Sequence, residues 1–128
     1  MIVLDTHAWL WWTSDPSKLS RKAREAIEGS GRVGVSPISC FEIATLVRRG
    51  RVSLDRDANA WIEQALAQEG VEAIPVSPQI AVAAGALEDA FPGDPADRLI
   101  YATSIAAGAE LVTKDRSLRH FDPARTVW

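Results

Sequence analysis

Short apolar runs separated by helix-length stretches place the strongest constraint on this chain. Ile2-Val3-Leu4, Val33-Gly34-Val35, and the runs at 71–76 and 110–113 each read as a strand, with 126–128 a last edge strand. Strands buried on both faces carry continuous apolar residues rather than an alternating pattern. Between them the spacing predicts helices over 6–12, 21–28, 39–49, 57–69, 77–90 and 94–107, and one turn over 117–120. Several carry start signals: Ser20 as an N-cap, Ser39-x-x-Glu42 as a capping box, and Ser77-Pro78 and Asp94-Pro95 as cap and first-turn pairs. Cys40, Ile43, Ala44 and Val47 form the apolar stripe of the third helix. Strands that alternate with helices in this way predict an α/β layer fold with a mostly parallel sheet of about four or five short strands. No internal repeat or linker breaks the pattern, so residues 1–128 are expected to form one domain.

Composition narrows the function classes. A hydrophobic fraction of 47% with 24% charged residues excludes a disordered or low-complexity chain. No apolar run reaches the ~18 residues of a membrane-spanning helix. The first residues lack the basic start and long apolar core of a signal peptide, which with a lone cysteine points to the cytoplasm. That cysteine, Cys40, excludes an internal disulfide framework and a cysteine zinc site. Acids outnumber bases 17 to 14, which is not the balance of an ordinary basic nucleic-acid module. Lys18, Lys22 and Lys114 are the only lysines, so most bases are arginine, the residue suited to bidentate phosphate contact. Trp9, Trp11 and Trp12 cluster near the start and read as core or interface anchors.

Sites on parallel α/β sheets form beyond the carboxyl ends of the strands. Asp5 follows the first strand, Glu42 lies in the helix after the second, Asp97 sits in the first turn of the helix leading to the fourth, and Asp115 follows the fourth. Four carboxylates are thereby directed to one sheet edge. Acids gathered together repel and resist ionising unless a cation joins them, and a hard all-oxygen set suits Mg²⁺ or Mn²⁺. Each acid also has an ordinary reading. Asp5 and Asp115 suit N-caps, Glu42 suits the capping-box partner of Ser39, and Asp97 suits the dipole of its helix. Asp94, before Pro95, reads as mainly structural. Asp97 shares a polar stripe with Tyr101 and Ser104 on an otherwise apolar helix, and an acid there calls for a partner.

Carboxylate-held divalent ions cleave phosphodiesters without a positioned His or Ser. His7 and His120 are the only histidines and read as structural or surface residues, and no Walker A loop is present. Asp5-Thr6-His7 lacks the second Asp of an aspartate-nucleophile phosphatase start. Arg48, Arg49, Arg51, Arg98, Arg116 and Arg119 are candidate phosphate donors, with solvated helix ends the alternative for each.

Four stretches carry a family resemblance: Ile2-Val3-Leu4-Asp5-Thr6-His7, Val35-Ser36-Pro37-Ile38-Ser39-Cys40-Phe41-Glu42-Ile43, Asp94-Pro95-Ala96-Asp97-Arg98-Leu99-Ile100-Tyr101-Ala102-Thr103 and Leu111-Val112-Thr113-Lys114-Asp115. In order and across the chain, they resemble the PIN-domain ribonucleases of the VapC toxin type. The resemblance implies a PIN-like three-layer fold and a Mg²⁺- or Mn²⁺-dependent endoribonuclease, the toxin of a type II toxin–antitoxin pair. It implies Asp5 and Asp97 as principal metal ligands, completed by Glu42 and Asp115, with Thr6 and Thr113 in support. Its implied partners are RNA, a VapB-type antitoxin and a second copy of the chain. Ser39 and Asp94 are expected to support the site from their caps, and Arg98 and Arg116 to contact phosphate. Many relatives carry a His-Arg pair where this chain has Pro92-Gly93, which leaves no basic substrate contact at that point. A non-catalytic PIN-like interaction module and a structure-specific DNA nuclease on the same scaffold are the competing readings.

Overall fold

The computed structural model describes residues 1–128. Its centre is a five-stranded sheet in the order β3-β2-β1-β4-β5, with every neighbouring pair parallel. The strands are β1 (Ile2–Leu4), β2 (Val33–Val35), β3 (Val71–Ala73), β4 (Glu110–Val112) and β5 (Thr126–Val127). Parallel pairing forces a crossover between strands. These crossovers hold α1 (Thr6–Ser14), a 3₁₀ turn (Pro16–Lys18), α2 (Arg21–Ser30), α3 (Pro37–Arg48), α4 (Ala58–Leu66), α5 (Pro78–Gly85), α6 (Pro95–Ala106) and α7 (Arg116–Phe121).

Side chains alternate across each strand and so serve two cores. Ile2, Leu4, Val33, Val35 and Val112 face one core with Trp9, Ile27, Ile43 and Trp61. Val3 and Leu111 face the other with Phe91, Ile100, Tyr101 and Leu118. Helices thus cover both faces of the sheet. The first two crossovers build outward from β1 to β2 and β3, and the third returns to place β4 on the other side of β1. The strand order reverses at the β1/β4 boundary, where a parallel sheet opens a crevice.

Three expectations need correction. The capping box at Ser39 does not open α3. Ser36 does, accepting from the Ile38 amide at 3.3 Å with Pro37 in the first turn. A residue before proline is held extended, which favours Ser36 as the cap. Ser39 is instead fully buried and Ala44 exposed. The third strand stops at Ala73 rather than at 76. Its partner β2 has only three residues to offer, and Pro75 has no amide to donate. The fifth helix ends at Gly85 rather than near 90, because glycine is a poor helix former and the chain turns there. No helix is long and apolar enough to cross a membrane.

Candidate active site

Thirteen residues line a cavity of about 490 Å³ at the carboxyl edge of β1 and β4. Asp5, Glu42, Asp94, Asp97 and Asp115 are all among them, with Thr6 and Thr113. Each acid is fixed by a local backbone device.

Asp5 leaves β1 by donating its amide to Val112 O (3.1 Å), so it is locked to the β1/β4 boundary. Its Oδ1 caps α1 by accepting from the Ala8 amide at 2.9 Å. Burial pushes its carboxyl above the ordinary aspartate range and Glu42 adds to this, while Thr113, the Ala8 amide and His7 oppose it. Asp115 caps α7 through the Leu118 amide (3.0 Å), and its own amide donates to Thr113 Oγ1 at 3.1 Å. Both residues are caps, and a cap engages one carboxylate oxygen and leaves the other available to the cavity.

Glu42 lies in the second turn of α3, where Thr6 holds it. Thr6 Oγ1 is within bonding distance of Glu42 and lies 2.9 Å from Ser39 Oγ. A carboxylate only accepts, so the Thr6 proton goes to Glu42 and the Ser39 hydroxyl donates to Thr6. Thr6 and Ser39 are both buried. Ser39, misread as a cap, is thus the far end of a hydroxyl relay that orients Glu42.

Asp94 and Asp97 form a reciprocal capping box at the start of α6. Asp94 Oδ1 accepts from the Asp97 amide (2.9 Å), and Asp97 Oδ2 accepts from the Asp94 amide (3.2 Å). The partner sought for Asp97 is therefore the backbone of Asp94. Tyr101 and Ser104 turn elsewhere, to Asp122 Oδ2 (2.6 Å) and Tyr101 O (2.7 Å). Burial, then the neighbouring Asp94 and more weakly Glu42, push the Asp97 carboxyl up to about 7.

No carboxylate of this ring is in an ion pair. The four ion pairs of the molecule, Arg21–Glu25, Arg32–Glu72, Arg56–Asp55 and Arg125–Asp122, are all elsewhere. Lys114 reaches the cavity wall, but its ammonium lies 5.5 Å from the Trp11 ring centroid. Carboxylates free of ion pairs, with the proton affinity of Asp5 and Asp97 raised, are a donor set that fits a hard divalent cation. They stand around the cavity without closing on one point: no three such side chains form a finished ligand group in this conformation.

The two expected arginines lie apart from this chemistry. Arg98 donates to the carbonyls of Ala84 (3.2 Å), Leu87 (2.9 Å) and Glu88 (3.1 Å), which ties the end of α5 to α6. Leu87 O has no backbone donor, while Ala84 O and Glu88 O also accept from the Leu87 (3.4 Å) and Phe91 (3.0 Å) amides, so the guanidinium completes the end of the helix. Arg116 lines a separate depression with Pro92 and His120. Sequence reasoning gave no role to Lys114, to Trp11 as a wall of the cavity, or to Gly93. A Cβ on Gly93 would lie 2.6 Å from Asp97 Cβ and 2.7 Å from Phe91 Cε1. The glycine at the expected departure from the family pattern is thus the spacer against which Asp97 packs.

A crevice of carboxylates at the switch point of a small parallel α/β sheet is the arrangement of a PIN domain. The PIN domain family profile matches residues 2–123, and the chain belongs to that family. It is 44% identical to Ribonuclease VapC22 of Mycobacterium tuberculosis (strain ATCC 25618 / H37Rv), over 99% of this chain and 98% of that protein. The same fold recurs in the Toxin-antitoxin complex from Klebsiella pneumoniae (TM-score 0.71, 21% identity, 100% of this chain and 97% of that one). It recurs again in VapBC2 from Rickettsia felis bound to a DNA fragment from its promoter (TM-score 0.70, 18% identity, 98% and 97%).

Proposed function

We propose that this chain is a single-domain, Mg²⁺- or Mn²⁺-dependent endoribonuclease, the toxin half of a toxin–antitoxin pair. The observation that carries the reading is the ring of carboxylates around one cavity, none of them held in an ion pair. The ribonuclease name of the 44% identical relative, whose full length the chain spans, supports RNA as the substrate. The toxin–antitoxin assemblies among the solved structures of this fold support an antitoxin partner.

In this reading Asp5 and Asp97 are the main metal ligands, and Glu42 and Asp115 complete the set. Divalent ions held there supply Lewis acidity to the phosphodiester and offset the charge that builds on it during hydrolysis. The chain's own task is orientation. Thr6 and Ser39 hold Glu42, Thr113 braces Asp5 and the start of α7, and Asp94 fixes the turn that carries Asp97.

The test is cleavage of total cellular RNA by purified, partner-free protein with Mg²⁺, with Mn²⁺ and with EDTA. Defined fragments are expected with metal and none with EDTA. Asp97→Asn is expected to lose at least ~100-fold in rate, the scale of losing a charge-stabilising group. Cleavage that persists in EDTA, or in folded Asp97→Asn, overturns the assignment.

A further inference from the structure

A second depression, of about 550 Å³, adjoins the acidic cavity and shares Thr6, His7, Glu42 and Asp94 with it. Its character is opposite. Ile38 and Leu46 give it an apolar floor, Phe41 projects from it 67% exposed, and Arg49 and Arg51 line one side. Phe41 and Thr45 on α3 and Arg49, its C-cap, follow one another at four-residue spacing and so lie along one side of the helix. Arg51 is brought back beside them by its amide, which donates to Leu46 O at 2.9 Å. Neither guanidinium is in an ion pair.

An RNA strand approaching a ring of acids is repelled along its backbone except where cations intervene. Two free arginines beside that ring compensate, because guanidinium groups bind phosphate in a forked, bidentate way. An exposed aromatic ring next to them offers a face on which an unpaired base stacks, and such stacking tolerates any base. From this charge complementarity and the shared wall, we propose that the groove seats the single-stranded RNA flanking the scissile bond. Arg49 and Arg51 hold a neighbouring phosphate, and Phe41 stacks a base. This inference rests on the nuclease reading for its substrate class, but binding tests it without catalysis.

The probe is a short fluorescein-labelled oligouridylate. Its binding to partner-free Asp97→Asn protein in EDTA is followed by fluorescence anisotropy over a salt series. Adding Arg49→Ala and Arg51→Ala together is expected to weaken binding at least ~10-fold and to lower the slope of log K against log salt by about 1–2. Phe41→Ala is expected to weaken it about 5- to 10-fold with the slope unchanged, and Phe41→Trp to retain it. Arg24→Ala, on the distant α2, serves as the control and is expected to change nothing. In the wild-type background the groove variants are expected to raise KM for cleavage and to leave kcat near its parent value.

The proposal is overturned if the parent binds no oligouridylate, or if groove and control variants bind alike. Unchanged RNA binding with altered sedimentation of the protein, or with lost capture of an antitoxin peptide, also overturns it and assigns the groove to a protein. RNA binding that depends on Arg49 and Arg51 in a protein that never cleaves sustains the groove and removes the nuclease reading instead.

Discussion

At Gly93 the chain passes so close to Asp97 that a methyl group has no room. Gly93→Ala is therefore expected to fold but to push Asp97 out of position. Cleavage should fall by at least ~10-fold, because displacing a catalytic group by an ångström or less is costly. Circular dichroism and kcat/KM measured together check this, and full activity in Gly93→Ala would remove the spacer role. Tyr101 gives a second prediction. Burial and the Asp122 carboxylate push its hydroxyl up to about 12, against 10.0 for a free tyrosine. The folded state holds this proton more tightly than the unfolded one. The resulting stability is complete below about pH 10 and is lost as pH rises from about 10 to 12. Tyr101 is the only tyrosine, so phenolate absorbance reads it directly, and urea melts of Tyr101→Phe should lack that decline. Residue types told much at this scale. Asp5, Asp97 and Asp115 stand out because each follows a strand or opens a helix. The role of Gly93 was illegible, since it depends on a distance to Asp97 that no local pattern encodes.

The start of α3 separates what an element reveals from what it hides. Two serines compete to cap it, and Ser39-x-x-Glu42 matches the stronger motif. Pro37 decides for Ser36, because proline fits the first turn and restrains the residue before it. That shift of three positions moves Ser39 from a surface cap into the core and frees Glu42 for Thr6. The end of α5 carries only Gly85 as a local signal. It is held from another helix by Arg98, a long-range partner that propensity cannot name. Arg98→Ala is expected to destabilise the fold by about 1–3 kcal/mol by leaving the Leu87 carbonyl without a donor. Arg98→Lys should recover little, since an ammonium lacks the planar fork. Denaturant midpoints measure this. If Arg98 instead binds phosphate, the variant keeps its stability and loses salt-dependent RNA binding.

For the molecule as a whole, the open ring of acids is a liability that an ion relieves. Mg²⁺ at ~100 times its dissociation constant is expected to stabilise the fold by about 2.7 kcal/mol, read as a rise in Tm that EDTA reverses. Asp97→Asn should abolish most of that rise and, at pH 8 without metal, melt higher than the parent, because one repelling charge is gone. A Tm indifferent to Mg²⁺ in the parent would count against a metal at these carboxylates. The layer architecture itself was readable from the apolar triplets at β1 and β2, which are buried throughout and mark the middle of a covered sheet. The strand order was not readable, since nothing local says that the fourth strand returns to the far side of the first.

That return has a consequence in time. Ile2 pairs with Glu110 and Leu4 with Val112, and the Asp5 amide waits for the Val112 carbonyl. Pairings between residues this far apart in sequence form late, since most of the chain must be in place before they close. During synthesis Asp5 is made well before Val112, so it has no fixed place until β4 has formed beside β1. Until then the acids stay unassembled, and the crevice exists only once the returning strand has closed the sheet.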